Sequence, residues 1–490
     1  MKKIITLAVA MATLFAFSSC QKENPDNTSK EGVRVITAEF ENTASKTTLN
    51  SDGVTPEWAA DDVLRILNAT SYEDITLSAG DIDENKIKFT TTLEGTLYAV
   101  YPASATSMEK CDDGNITFTI PAIQDGTFAS ANICVATSTE DDDTNKANLV
   151  FRNATAVLKI KTPADVVGVD ITAANSIAGT VTASFSGSEI SLATSALDSK
   201  YVSAVGTSAP SENVFFLAVA PVTTGSTTVN CYKTDKKGTE VKDSKELQKN
   251  VIYSMDLSSL TIDNSDLTGQ RGILNGHEYA VVKCGEKNLK WATVNIGASV
   301  PQESGDFFSW GETVGYQPSG STFSHSFGWN TYCGNSSFVE WSTLPYDNST
   351  KILKPAYDAA TANWESTWRT PTGGDSGEFK ALFDATYWQW NETDKGYYVY
   401  VPSPSTDAGK VNVGDGSYDL DDALLFFLAA GNGYNNVLYD SETIGNYWSS
   451  TLTSDSQKAH SLYINGNAGS VDATSIGERF RGYCVRPVSE

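Results

Sequence analysis

Cys20 is the residue whose surroundings most directly imply chemistry. It follows Ser18 and Ser19 at the end of an apolar run from Ile4 to Phe17, and Lys2 and Lys3 precede that run. The run is too short and ends too abruptly to be a spanning helix, so it reads as a secretory signal peptide. Small residues directly before a cysteine make a lipobox. Diacylglycerol is attached to the thiol, and cleavage leaves that cysteine as the new N-terminus. Phe17 stands three before the cysteine, where Leu is commoner. Two acyl chains on one residue make a stable tether. No later apolar run is long enough to cross a bilayer. Residues 1–20 are therefore expected to be a lipoprotein signal peptide, with Cys20 lipidated and the rest of the chain in water.

The tryptophans are the next group with a chemical use, because aromatic faces stack on sugars. Trp58 is the only one before residue 290, and the other nine lie between Trp291 and Trp448. Trp291, Trp368 and Trp448 sit in regular sequence and are expected in the core. Trp329, Trp341, Trp388 and Trp390 lie in less regular sequence and are expected nearer the surface. Of these, Trp341, Trp388 and Trp390 are the candidate ligand contacts. Residues 271–490 are expected to fold alone and to carry the ligand site.

Catalysis finds little purchase. The three histidines, His277, His325 and His460, are far apart in sequence. No nucleophile elbow, zinc-protease helix or phosphate-binding glycine loop is present. Carboxylates are plentiful, so a glycosidase pair stays open, but no motif points to one. The expectation is no enzyme and no cofactor. No metal site is expected either, because Cys111, Cys134, Cys231, Cys284, Cys333 and Cys484 are scattered without histidine partners. They read as mostly buried free thiols or, since export permits it, as disulfide partners. The acidic run Asp415–Asp422 offers carboxylates to a cation but reads as a solvated loop. With 35 basic against 60 acidic residues, net −25, the surface repels nucleic acid and anionic membrane.

These residues must be held by strands. Short runs rich in Val, Ile, Thr, Tyr and Phe recur between Gly, Asn, Asp and Ser. They include Val33–Phe40, Val63–Leu67, Leu97–Tyr101, Ile116–Ile120, Ala156–Ile160, Val214–Ala218 and Ile252–Leu257. This spacing predicts β-sandwiches. The polar, aromatic-free residues 21–33 read as a flexible tether. The abrupt tryptophan boundary, with the polar residues 259–270 before it, separates residues 34–258 from a unit at 271–490. Within the first part, a join near Lys161–Val166 gives one sandwich at 34–160 and another at 161–258. Two helices are expected in the last unit, Tyr357–Trp364 and Gly377–Phe383.

Residues 33–258 resemble the fimbrillin family of Bacteroidetes. The resemblance rests on Trp58-Ala59-Ala60-Asp61-Asp62-Val63, on the strand Tyr98-Ala99-Val100-Tyr101-Pro102, on Ile120-Pro121-Ala122-Ile123-Gln124, and on the run Leu149–Lys161. The acidic and lysine residues just after Cys20 resemble the surface-export signal of lipoproteins from the same phylum. The resemblance implies two tandem transthyretin-like β-sandwiches in a subunit, anchor or tip of a pilus. It also implies a surface-exposed place in the outer membrane or fimbrium, and other pilus subunits as partners through donor-strand exchange. In that exchange an N-terminal strand is cut away after a basic residue and a neighbour's strand fills the groove. Arg34 is the candidate cut site, and Lys30 and Lys46 are further matches; the other reading of Arg34 is a solvent-facing strand residue.

Residues 275–490 are similar to the Fibrobacter succinogenes major paralogous domain of bacterial surface proteins. The likeness rests on Trp291-Ala292-Thr293-Val294-Asn295, Phe307-Phe308-Ser309-Trp310-Gly311-Glu312, Trp368-Arg369-Thr370-Pro371, Tyr447-Trp448-Ser449-Ser450 and Arg479–Val488. It implies an α+β C-type-lectin-like fold. The calcium-binding signatures of sugar-binding lectins are absent, and only Cys484 stands where the related formylglycine-generating enzymes use a cysteine pair. The combined expectation is a mainly β chain that acts as a pilus tip or accessory adhesin, binding a glycan or host protein through its last unit. The alternative is a surface glycan-binding lipoprotein that never polymerises.

Overall fold

A computed structural model of the chain describes residues 33–41, 58–83, 86–140, 145–187, 189–206, 209–210, 212–332, 345–402, 407–412 and 418–490. Cys20, Lys30, Lys46, Cys333 and Trp341 lie outside them. The protein is mainly β, as expected, with only short helices among the described residues.

The first sheet draws on Arg34–Phe40 (β1), Val63–Leu67 (β2), Tyr72–Thr76 (β3), Ile82–Asp83 (β4), Lys86–Thr91 (β5) and Tyr98–Tyr101 (β6). Asn115–Ile120 (β7) and Ile123–Gln124 (β8) leave it, and Cys134–Glu140 (β9) and Lys146–Asn153 (β10) return to it. The order is β3-β2-β6-β9-β10-β1-β5-β4. Period-two patterning builds these strands: in β5, Ile87, Phe89 and Thr91 are buried while Lys86, Lys88 and Thr90 are exposed. Ile36, Ala38, Leu64, Ile66, Ala99 and Phe151 belong to one apolar cluster on this sheet.

Strands β6 and β9 are buried on both faces. Ala99, Tyr101, Cys134 and Ala136 join that first cluster, whereas Val100 and Val135 join the core of the next unit. The second core is shared with Ala156–Lys161 (β11), Gly168–Ala173 (β12), Ala178–Ser186 (β13), Glu189–Ser199 (β14) and Tyr201–Val205 (β15). Val214–Val219 (β16), Thr227–Tyr232 (β17), Lys237–Lys242 (β18) and Val251–Asp256 (β19) complete the unit. Its sheets run β16-β11-β19, β18-β17-β12-β15-β8 and β14-β13-β7. A division at 160/161 therefore cuts across the strand pairing. Strand β11 is bonded to β16 and β19, and β7 and β8 are bonded to β13 and β15. The apolar outer face of β6 and β9 requires cover, and the second unit supplies it.

Residues 259–270 are docked rather than a free spacer. Asn264 exchanges backbone hydrogen bonds with Lys237 at 2.7 and 3.1 Å. Leu267 is buried in one cluster with Tyr232 of β17 and Tyr279 of the last unit. That unit opens with Arg271–Leu274 (β20), His277–Cys284 (β21) and Lys287–Ala292 (β22), and Val488–Ser489 pairs back onto β22. Among its described residues the α-helices are Ala359–Trp364 and Glu378–Ala385. Asp358 caps the first by accepting from the amides of Ala360 and Thr361 at 2.9 and 3.1 Å. The second buries Phe379 and Leu382, three apart, on its inner face.

Candidate functional site

Strand β1 is the element on which strand exchange depends. It lies inside the first sheet, parallel to β10 and antiparallel to β5. Ile36 and Ala38 point inward and are fully buried, and Phe40 on the same face stacks on Trp58 at 4.1 Å. Trp58 meets Tyr101 and Phe151 edge-on at 5.2 and 5.3 Å. Tyr101 donates from its hydroxyl to Asp62 at 3.0 Å, while the other Asp62 oxygen accepts from the Ala59 amide at 2.8 Å. Burial, reinforced by that carboxylate, raises the Tyr101 pKa well above the usual phenol range. The residues Trp58–Asp62 thus form a clasp: the indole closes the core under Phe40 and Asp62 ties the turn to β6. Burying Ile36 alone is worth about 1.5–3 kcal/mol.

Arg34 is the first residue of β1 and only 8% exposed. Its Nη1 donates to the Gly95 and Leu93 carbonyls at 2.6 and 3.5 Å. Its Cα partner on β5 is Thr91, and the next residue, Val35, pairs with both Thr90 and Lys146. The bond after Arg34 is therefore within the sheet, and a cut there would leave Val35–Phe40 joined to the rest of the chain. Releasing β1 requires a break between Glu41 and Trp58, the stretch that contains Lys46. Cys20 lies outside the described residues.

The tryptophan contacts expected on the surface are corrected for two of three positions. Trp388 is 0% exposed, donates to Thr386 Oγ1 at 2.9 Å and lies 5.0 Å from the Phe427 ring. Trp390 is 7% exposed and donates to Glu392 at 2.8 Å, and Tyr397 lies edge-on to it at 5.1 Å. A Cβ added at Gly466 would collide with the Trp390 ring, so backbone covers that face. Neither ring is open for stacking. The spacing of two already carried this: in the strand Tyr387–Asn391 both indoles fall on one face, and that face is the core. Trp341 lies outside the described residues. Trp291, Trp368 and Trp448 are buried, as expected.

Other groups the sequence singled out do not converge on a reactive centre. The described cysteines, 111, 134, 231, 284 and 484, are free and buried. Burial pushes the Cys111 thiol up to about 11 and those of Cys231 and Cys284 up to about 12, which suppresses the thiolate. His277 stacks on Trp364 at 3.6 Å and His325 on Tyr316 at 4.0 Å. Of the acidic run, Asp419 and Asp422 lie 3.1 and 3.8 Å from Lys200 of the second unit. Among the described residues no group of three or more His, Cys, Asp or Glu is placed to hold a metal ion.

Arg486 is a residue the sequence reading passed over. It is 0% exposed, and none of its bonded partners is a carboxylate. It donates to Asn295 Oδ1, Ala292 O and Phe426 O at 2.9, 3.2 and 2.9 Å and lies 4.5 Å over the Phe427 ring. Burial lowers its pKa to about 10. Its signal in sequence was the arginine within an apolar C-terminal strand pattern, Cys484-Val485-Arg486-Pro487-Val488.

No protein-family model matches the chain, and no curated protein matches it. Among solved structures, it is similar to a candidate cell adhesion protein from Bacteroides thetaiotaomicron, with 13% identity and a TM-score of 0.29 over 50% of this chain and 96% of that one. A fimbrial assembly protein from Parabacteroides distasonis gives 9% identity and a TM-score of 0.25 over 51% and 94%. A fimbrial protein from Bacteroides ovatus gives 11% identity and a TM-score of 0.26 over 93% and 97%. At these TM-scores the likenesses carry no inference about function.

Proposed function

We propose that the chain is a cell-surface lipoprotein of the fimbrillin kind, acylated at Cys20 in the outer membrane, that serves as a tip or accessory adhesin of a pilus. The observation that carries this reading is the placement of β1. It is the first strand among the described residues, it sits between β10 and β5, and its inner face is apolar. Its removal would leave two unpaired edges and a groove lined by core residues, which a donor strand from a neighbouring subunit would fill by main-chain pairing. The cut that permits this falls beyond Glu41, with Lys46 the basic residue in that stretch. The C-terminal unit, of lectin-like kind, is the ligand-binding head for a glycan or host protein. A bulky unit after β19 hinders the chain from offering a donor strand there, which suits a tip that only accepts one.

N-terminal sequencing of the protein recovered from fibres tests this. A start beyond Glu41 is expected. A chain in fibres that still begins at acylated Cys20, or one that begins at Val35, would refute strand removal. Immunogold label is expected at fibre ends, and label spread evenly along the fibres would refute the tip role. The second reading, a glycan-binding lipoprotein that never polymerises, draws on the same strand: with β1 in place both of its edges are paired, and the chain needs no donor.

A further inference from the structure

A cavity of about 670 Å³ opens in the C-terminal unit, of a size suited to a small ligand. Four segments wall it. The start of β21 contributes His277 and Glu278, the loop after β22 contributes Gln302, residues 396–400 contribute Tyr398, and residues 420–426 contribute Phe426. Arg271 of β20 closes one side. The Tyr398 ring lies 4.6 Å from that of Phe426, which is only 3% exposed, so Tyr398 supplies the aromatic face of the cavity. Thr293 and Ser299, also in the lining, add hydroxyls. Aromatic surface beside hydroxyl, amide and carboxylate groups matches a polyol, which offers C–H faces and hydroxyl edges together.

The charges in this lining cancel. Arg271 is positive and Glu278 negative, while desolvation holds the His277 pKa below its usual value, so its ring is neutral at neutral pH. Within Arg271 the Nε is buried and has no hydrogen-bond partner, so this atom is not presented to the cavity. The far wall is rigid because Arg486 Nη2 holds the Phe426 carbonyl at 2.9 Å and its Nη1 holds that of Ala292.

The second unit reaches into this site. Tyr201 of β15 accepts a hydrogen bond from the Arg271 amide at 3.0 Å, and Ser203 Oγ donates to the Arg271 carbonyl at 3.2 Å. The Arg271 guanidinium lies 4.9 Å over the Tyr201 ring and donates to Ala423 O at 2.6 Å. Lys200, beside Tyr201, holds Asp419 at 3.1 Å, at the start of the 420–426 wall. We propose that this cavity binds a neutral oligosaccharide and that Tyr201 and Ser203 of the second unit are positioning residues for it, setting Arg271 from outside the C-terminal unit. The proposal rests on the adhesin reading and replaces the expectation that residues 271–490 carry a complete ligand site alone.

The test uses the full mature chain on a printed array of neutral, sialylated and uronate-bearing oligosaccharides, with affinities for the best neutral probe by calorimetry. Binding to neutral probes is expected. Gln302→Ala and Glu278→Ala should each weaken it about tenfold or more, with the melting temperature unchanged. Ser203→Ala should weaken it several-fold although it touches no ligand. Ser203→Thr, which keeps the hydroxyl, should restore it. Glycan binding unaffected by all of these places the site elsewhere and overturns the proposal, as does binding confined to acidic probes. Beads coated with the chain are tested in parallel on epithelial cells. Adhesion without any array signal overturns the oligosaccharide assignment and leaves the adhesin reading standing. Absence of both overturns the two together.

Discussion

The hydroxyl of Tyr232 lies 2.5 Å from one carboxylate oxygen of Asp170, inside the second unit. Asn230 donates to the other oxygen at 2.7 Å, and Tyr201 donates to the first at 3.3 Å. Asp170 is 1% exposed. Burial wins over these hydrogen bonds and raises its pKa from 3.8 to about 6. A carboxyl whose folded pKa is raised binds more protons folded than unfolded between those values. Its contribution to stability is then fully present below about 3.8 and lost as pH rises through about 6. The urea midpoint of Asp170→Asn relative to the parent chain should therefore rise from pH 4 to pH 6.5 and level off above. A constant difference across that range would show that Asp170 stays ionised throughout. The paired comparison matters because carboxylates such as Asp347, held down to about 2 by Ser349 and Thr350, bias the parent's own profile the other way.

The seat of β1 predicts where proteases fail. Limited trypsin digestion of the folded chain should leave the bond after Arg34 intact, since that residue pairs in the sheet and its guanidinium is tied to Gly95. Recovery of a folded product beginning at Val35 would contradict the placement of the strand. Ile36→Ala should lower unfolding stability by about 2–5 kcal/mol, because a fully buried side chain leaves a cavity. Denaturant titration measures it.

Trp388→Ala should cost about 3–5 kcal/mol of stability, the range for a large aromatic removed from a core. Trp388→Phe should cost less, keeping the ring against Phe427 and losing the bond to Thr386. Calorimetric melting distinguishes this from a surface role, in which the melting temperature would not move.

Arg486→Ala should be among the most damaging single changes in the C-terminal unit, at about 1–3 kcal/mol for a buried acceptor left unsatisfied. It leaves the carbonyls of Ala292 and Phe426 and the Asn295 amide oxygen without donors. Arg486→Lys should not rescue it, because one ammonium cannot reach three acceptors spread around a planar fork. Equal stability of the lysine variant and the parent, by urea titration, would sink this account.

Strand positions were highly legible because they follow a local two-residue period. Val63–Leu67 agrees end to end, and the runs expected at Val33–Phe40, Ala156–Ile160 and Val214–Ala218 differ from the observed strands by a single terminal residue. The helices expected at Tyr357–Trp364 and Gly377–Phe383 appear with shifted ends, the first starting only after its Asp358 cap. Pairing partners were not legible, since nothing local to Asn115–Ile120 says that it bonds to residues 179–184 across the chain. The same holds for the cavity. Tyr201 and Arg271 are 70 residues apart, and only the fold makes the first a support for the second. Trp388 and Trp390 were misjudged by treating aromatic density as surface, although their alternate spacing fixes one shared direction.

Strand β1 has a mechanical consequence. Six of its residues pair with β10 and six with β5, in register along the same length. A pull on the N-terminus, resisted elsewhere in the sheet, runs along the strand axis and so loads both ladders in shear. All of those bonds must then yield together, instead of parting one by one as in a peeled edge. The same strand drawn sideways from its far end, near Glu41, would unzip in sequence. The sheet is thus strong toward a tether at its start and comparatively weak toward release from its end.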